Sequence, residues 1–255
     1  MKVLYLANGL TGLNVARFLA QRGDKVVGAV VHPEHEQRLA SEIVDALALP
    51  KERVFTGDRL REPDVRAAMM SLGADMALSV LFDYILHPEF ISLFPAGVVN
   101  LHPSYLPWNR GQYPNVWSIV EGTPAGVTLH FIDEGIDTGD IIAQREVQVS
   151  WTDTGETLYR KLEQEMLACF QETWPILVSG KAPRIPQPKE QGTYHRTNDV
   201  KRIDPINLDA DYKARDLINI LRARSFSPYA GAYFTVDGHK VYMRLELYEK
   251  HDDEF

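Results

Sequence analysis

The sequence predicts an α/β fold, an open and mostly parallel sheet with helices on both faces, followed by a small C-terminal α+β module. Three observations predict it. Through the first half, short apolar runs alternate with amphipathic segments, the pattern of parallel strands joined by crossover helices. From about residue 126, runs that alternate apolar and polar residues replace it, as in antiparallel strands. A proline-rich polar stretch, KAPRIPQPKEQGTYH, then sets off one last helix and a hairpin. The first pattern is that of a Rossmann-like sheet.

The elements follow in order. Val3 to Ala7 reads as a buried strand and Gly12 to Arg22 as a helix with Val15, Phe18 and Leu19 on one face. Lys25 to Val31 is a second strand and Glu36 to Leu47 a second helix. Val54 to Thr56 is a short strand, and Pro63 suits the first turn of the helix after it. Ala74 to Val80 and Val98 to Leu101 are further strands. Gly126 to Ile132 and Asp140 to Val149 read as two antiparallel edge strands. A long helix, Glu156 to Leu177, carries Leu158, Leu162, Met166, Cys169 and Phe170 at helical spacing, with Thr154 or Asp153 as its cap. Asp211 to Arg222 is a helix, and Ala232 to Val236 with Lys240 to Leu247 is a hairpin closed by Asp237-Gly238. The expected organisation is therefore a catalytic domain over 1–180, a connector over 181–200 and a module over 201–255, ending in the acidic tail KHDDEF.

Composition narrows the function. A formal net charge of −8 argues against a broad nucleic-acid footprint, which needs a basic face. One cysteine, Cys169, excludes an internal disulfide or a cysteine-based zinc site. The chain opens directly on a strand, and no apolar run reaches the ~18 residues of a membrane span, so the expectation is a cytoplasmic protein with no membrane partner. His32 and His35 have His-x-x-His spacing around Pro33, but further ligands at compatible spacing are missing. They read as a surface turn, and no metal is expected.

The chemistry concentrates in VVNLHPSYLPWNRGQYPNVW, Val98 to Trp117. Residues i and i+2 of a strand share a face, so Asn100 and His102 point into one space where Pro103 ends the strand. Asp137 lies in a loop bracketed by Gly135 and Gly139. An imidazole to take a proton, a carboxylate to orient it and a carboxamide to hold an oxyanion suit acyl transfer to nitrogen. Caps and turns use the same three residue types, so spacing leaves both readings open. His130 reads as a satisfied sheet residue, with lining the cleft from the neighbouring strand as the lesser alternative.

The longer wording, NLHPSYLPWNRGQYPNVWSIVEGTPAGVTLHFIDEGIDTGDII, resembles the folate-dependent formyltransferases. Shared features are Asn-x-His-Pro-Ser, Leu-Pro, Arg-Gly followed by Pro, Gly-x-Thr and Asp-x-Gly. The resemblance implies the formyltransferase fold and the catalytic trio Asn100, His102 and Asp137. It implies 10-formyltetrahydrofolate as formyl donor and an amine as acceptor. By position, the pterin would lie against Leu81, Phe82, Asp83, Tyr84, Ile85 and Leu86, and against the loop from Asp133 through Gly135 to Asp137.

Three acceptors compete. Glycinamide ribonucleotide enzymes carry a Gly-rich loop after the first strand, which LANGLTG matches only in part, and they usually stop near the long helix. The tRNA enzymes are longer, with a C-terminal barrel, although RARSFSPYAGAYF echoes them. Trp108-Asn109-Arg110-Gly111, Pro114-Asn115-x-Trp117 and Thr193-Tyr194-His195-Arg196 resemble the enzymes that formylate nucleotide-linked amino sugars, such as those of O-antigen biosynthesis. That resemblance implies a dTDP- or similarly linked 3- or 4-amino-dideoxy sugar, met by Asn8, Gly9, Arg110, Phe226, Tyr229 and Tyr233. Tyr233 has an equal claim to be core. The resemblance also implies a homodimer through the C-terminal module. A non-catalytic module binding folate or nucleotide-sugar is the alternative outside enzymes.

Overall fold

A computed structural model describes residues 1–188 and 190–250; the tail beyond Lys250 lies outside the described residues. Along the chain run β1 (Lys2–Ala7), α1 (Gly9–Arg22), β2 (Lys25–Val31), α2 (Ala40–Ala46), β3 (Val54–Thr56), α3 (Pro63–Ser71), β4 (Met76–Val80), α4 (Pro88–Ile91) and β5 (Val98–His102). Then come β6 (Arg110–Gly111), α5 (Pro114–Glu121), β7 (Ala125–Phe131), β8 (Ile141–Val147), α6 (Gly155–Val178), β9 (Tyr194–His195), α7 (Val200–Ile203), α8 (Ala214–Ala223), β10 (Tyr233–Val236) and β11 (His239–Tyr242). Two compact units result: 1–102 with 128–144 and 166–187, and 103–127 with 145–165 and the described residues from 188 onward.

The first unit carries a seven-stranded sheet of order β3-β2-β1-β4-β5-β7-β8. β1 pairs in parallel with β2 and β4, β2 with β3 and β4 with β5. β5 pairs antiparallel with β7, setting Asn100 opposite His130 and His102 opposite Thr128. All of β4 and all but the first residue of β1 are buried, as strands covered on both faces must be. Leu4, Leu6, Val30, Met69, Phe90 and Phe94 form the core on one side. The chain winds outward in both directions from β1 and β4, which makes the carboxyl ends of these strands the natural ligand crevice.

Several elements differ from expectation, among them α8, which starts at Ala214 rather than Asp211. α1 starts at Gly9, and the Asn8 side chain makes no cap bond to it. α2 starts at Ala40, because Glu36 and Gln37 N–H groups both turn back to the Pro33 carbonyl and Leu39 then takes φ 58°. β7 is not an edge: it lies between β5 and β8, and all seven of its residues are buried. His32 is no surface-turn residue either. It is buried, whereas His35 is exposed and meets Glu36 at 3.3 Å.

α6 puts Leu158, Leu162, Met166, Cys169, Phe170 and Trp174 on one buried stripe. Its start is a reciprocal cap in which the Thr157 N–H donates to Thr154 Oγ1 and the Thr154 N–H to Thr157 Oγ1. In the second unit, β6 pairs in parallel with β9. The Asn115 amide donates to the Gly155 carbonyl at 2.8 Å. Arg222 is buried, and its Nη1 donates to the Ser150, Trp151 and Asp153 carbonyls. Asp237 (φ 49°) and Gly238 (φ 78°) make the left-handed turn between β10 and β11. The second hairpin strand ends at Tyr242, sooner than expected, and the Leu245 N–H goes to Ser225 Oγ.

Candidate active site

β5 ends at His102, and its side chains at 100 and 102 face the same way as 128 and 130 of β7 across the pair. The polar residues of this face are Asn100, His102, Thr128 and His130. Asp137 joins them from the loop after β7. One carboxylate oxygen lies 3.5 Å from His102 Nε2 and the other 3.5 Å from His130 Nε2, with the Asp137 side chain 14 % exposed. Asn100 Nδ2 lies 3.3 Å from His130 Nε2. The structure thus brings together Asn100, His102 and Asp137, with His130 between the first and the last.

The wording of the Asp137 loop has physical causes. Asp137 itself has φ 52°, a left-handed conformation that Asp tolerates better than most residues. Asp133 Oδ1 accepts the Gly135 N–H at 3.0 Å and the Thr138 hydroxyl at 2.6 Å. A Cβ at Gly135 would meet Thr138, and one at Gly139 would meet the Phe131 carbonyl oxygen. Gln187, after α6, closes the loop from outside: its Nε2 donates to the carbonyls of Asp137 and Gly139, both at 2.8 Å. Nothing in the local sequence pointed to Gln187, because its partners lie about fifty residues away.

The remaining predicted residues fall in several places. Leu81, at φ 50°, turns the chain out of β4. Phe82 and Tyr84 rings pack edge-on against His32, each 5.2 Å away. Ile85 is 70 % exposed, while Leu86 is core. Burial pushes the Asp83 carboxyl pKa up, and Tyr84, desolvated and bonded to Glu36, is raised to about 12. The Asn8 amide is committed within the unit: Oδ1 accepts the Arg38 N–H at 2.7 Å and Nδ2 lies 3.2 Å from His32 Nδ1. Burial lowers the His32 pKa. Gly9, at φ 70°, donates its N–H to the Arg38 carbonyl.

In the second unit, Arg110 is half-buried on β6, and its N–H donates to the Thr193 carbonyl. The Trp117 ring stacks on His195 at 4.0 Å. Phe226 and Tyr229 contact each other at 5.3 Å. Tyr233 is half-buried against Tyr242 and under Lys240 Nζ, on the wall of a 330 Å³ cavity that also includes Pro205 and Asn207. Among the described residues, no group of three or more His, Cys, Asp or Glu side chains gathers as metal ligands would, and no helix is long and apolar enough to cross a membrane.

A doubly wound sheet with an amide, an imidazole and a carboxylate gathered at one strand end defines a group-transfer enzyme of the α/β class. The chain belongs to the formyl transferase family, which matches residues 2–173, and residues 199–249 match the N-formyltransferase dimerization C-terminal domain. It is a formyltransferase. Methionyl-tRNA formyltransferase of Symbiobacterium thermophilum is 32 % identical over 244 residues, covering 91 % of this chain and 72 % of that one. The crystal structure of a 4-N formyltransferase from Francisella tularensis superposes with a TM-score of 0.83 at 26 % identity, covering 98 % of both chains. A formyltransferase from Anoxybacillus kamchatkensis, solved with UDP-4,6-dideoxy-4-formamido-L-AltNAc and tetrahydrofolate, is 35 % identical at a TM-score of 0.58, covering 79 % of this chain and 89 % of that one.

Proposed function

We propose that this enzyme moves the formyl group of 10-formyltetrahydrofolate to the 4-amino group of a nucleotide-linked dideoxy sugar. The observation that carries the reading is the convergence of Asn100, His102 and Asp137 at one strand end. The neutral amine attacks the formyl carbon, and the carbonyl oxygen becomes an oxyanion. A hydrogen of the Asn100 amide holds that oxygen, a contribution of about 3 kcal/mol to the barrier for a donor of this kind. His102 takes the proton the amine loses, and Asp137 stabilises the resulting imidazolium. Collapse breaks the bond from carbon to folate N10, which leaves with a proton, and the product is the formamido sugar. The 3.5 Å separation of His102 from Asp137 is at the outer limit of hydrogen bonding, and such contacts tighten when substrate binds.

Exposed apolar surface supports the proposed folate loops. Ile85 and Ile136 are exposed at 70 % and 40 %, apolar surface of the kind a pterin ring covers, while Leu81 to Leu86, Asp133 and Gly135 supply main-chain groups. Asn8, Gly9, Arg110, Phe226, Tyr229 and Tyr233 remain the residues proposed for the nucleotide-sugar. Support for position 4 comes from the Francisella protein, a 4-N formyltransferase, and the Anoxybacillus protein, solved with a 4-formamido sugar. The second also carries UDP, so uridine stands beside thymidine as the base. The dimerization domain matched over 199–249 supports a homodimer through the C-terminal module, and the cytoplasmic placement expected from the sequence is kept.

The likeness to methionyl-tRNA formyltransferases favours a second acceptor, tRNA, which the net charge of −8 opposes. The test is turnover of 10-formyltetrahydrofolate against UDP- and dTDP-linked 4-amino and 3-amino sugars, glycinamide ribonucleotide and methionyl-tRNA. Formylation of a 4-amino sugar, abolished by His102→Ala with folate binding kept, is the expected result. Transfer only to tRNA, or full activity of His102→Ala, would refute the reading.

A further inference from the structure

One buried histidine at the site has no part in the proton transfer just described. His130 is 1 % exposed, and its ring faces groups on both sides. Nδ1 lies 2.8 Å from the backbone oxygen of Phe131. A carbonyl oxygen only accepts, so Nδ1 carries the ring proton. In the neutral ring Nε2 is then an acceptor, and the group within reach at 3.3 Å is the Asn100 amide nitrogen. The register that sets Asn100 opposite His130 holds the two together.

We infer that His130 is a positioning residue: its bare Nε2 fixes the Asn100 carboxamide with nitrogen, not oxygen, toward the imidazole ring. A flipped amide would bring its own oxygen against the Nε2 lone pair, so that orientation is disfavoured. The Asn100 side chain makes no other hydrogen bond among the described residues, so the second hydrogen of the same nitrogen is the donor left for an oxyanion. The opposite arrangement is well defined. An Nε2–H on His130 would donate to Asp137 Oδ1, 3.5 Å away, and turn the Asn100 oxygen inward, where it repels an oxyanion. The inference rests on the formyl-transfer reading for its kinetic consequence, but not for the geometry.

Two measurements test it. Long-range 1H–15N spectra of the resting protein labelled at histidine, at pH 7.5, should show His130 with Nδ1 protonated and Nε2 bare, the signal being assigned by its loss in His130→Gln. An Nε2–H or doubly protonated ring overturns the inference, whatever substrate the enzyme takes. The second is turnover of two variants on the sugar acceptor. His130→Met has the reach but only a weak thioether acceptor; His130→Gln offers a carboxamide oxygen to the same amide hydrogen. The Met variant should lose kcat about 10- to 100-fold with both KM values within about threefold, and the Gln variant should recover most of that loss. A Met variant within threefold of wild type, or a Gln variant as slow as the Met variant, overturns the inference. Should the Met variant not fold, the spectra and the Gln variant decide, the latter staying within about tenfold of wild type if the inference holds. Wild-type silence toward every acceptor refutes the formyl-transfer reading instead, and the spectra still settle the histidine.

Discussion

Gln187→Ala should loosen the catalytic loop without touching a reacting group. Its amide donates to two carbonyls, Asp137 and Gly139, at 2.8 Å each. Both partners are acceptors, so the amide nitrogen must face them. Each bond contributes about 0.5–1.5 kcal/mol net, so removing both lowers the opening free energy of the loop by about 1–3 kcal/mol. The left-handed Asp137 backbone adds to the tendency to open, since that conformation is costly outside glycine. At about 1.4 kcal/mol per factor of ten, amide exchange over 133–139 should accelerate by about 5- to 150-fold, read by hydrogen-exchange mass spectrometry. Formyl transfer should fall as Asp137 spends less time beside His102. Gln187→Glu should be worse than Ala, because a carboxylate would face two carbonyl oxygens. Unchanged exchange in the Ala variant, or better protection in the Glu variant, refutes the clamp.

Other expectations follow from the same geometry. Gly139→Ala drives a Cβ into the Phe131 carbonyl, and overpacking of this kind costs about 1–3 kcal/mol; turnover should collapse with a lowered melting temperature. Asp153 is buried, which opposes its charge, but bonds from Lys161, the Ser150 N–H and Thr157 outweigh this and hold its carboxyl below the usual range. A depressed acid stabilises above its unfolded pKa of about 3.9 and loses that contribution as pH falls through the folded value, so Asp153→Asn should flatten the acid limb of thermal stability below about pH 4. Burial lowers His32, so the unfolded chain takes up the proton first and stability drops as pH falls below about 6.5. His32→Asn should remove that slope in a melting series from pH 7.5 to 5.

Much of the fold is legible because it is local. The apolar runs of β1, β2, β4 and β5 announce buried strands, and Asp237-Gly238 announces its turn through the positive φ it tolerates. The i, i+2 spacing alone places Asn100 and His102 on one face. His32 misled because a histidine beside a proline looks like a turn, and its burial depends on Phe82 and Tyr84, about fifty residues on. β7 misled because a strand with polar residues at alternate positions looks half-exposed; Thr128 and His130 are buried because they face the site and find partners in Gln144 and Asn100.

By itself, then, the sequence determined the strand–helix order, the shared face of Asn100 and His102, and the bend that carries Asp137, since all three follow from periodicity and backbone preference over a few residues. Only the tertiary structure decided that Asp137 reaches both histidines, that His130 stands opposite Asn100, and that Gln187 closes the loop. The physical reason is that strand register and side-chain partnership across the sheet come from burying the whole core at once, a condition that no short stretch of residues can express.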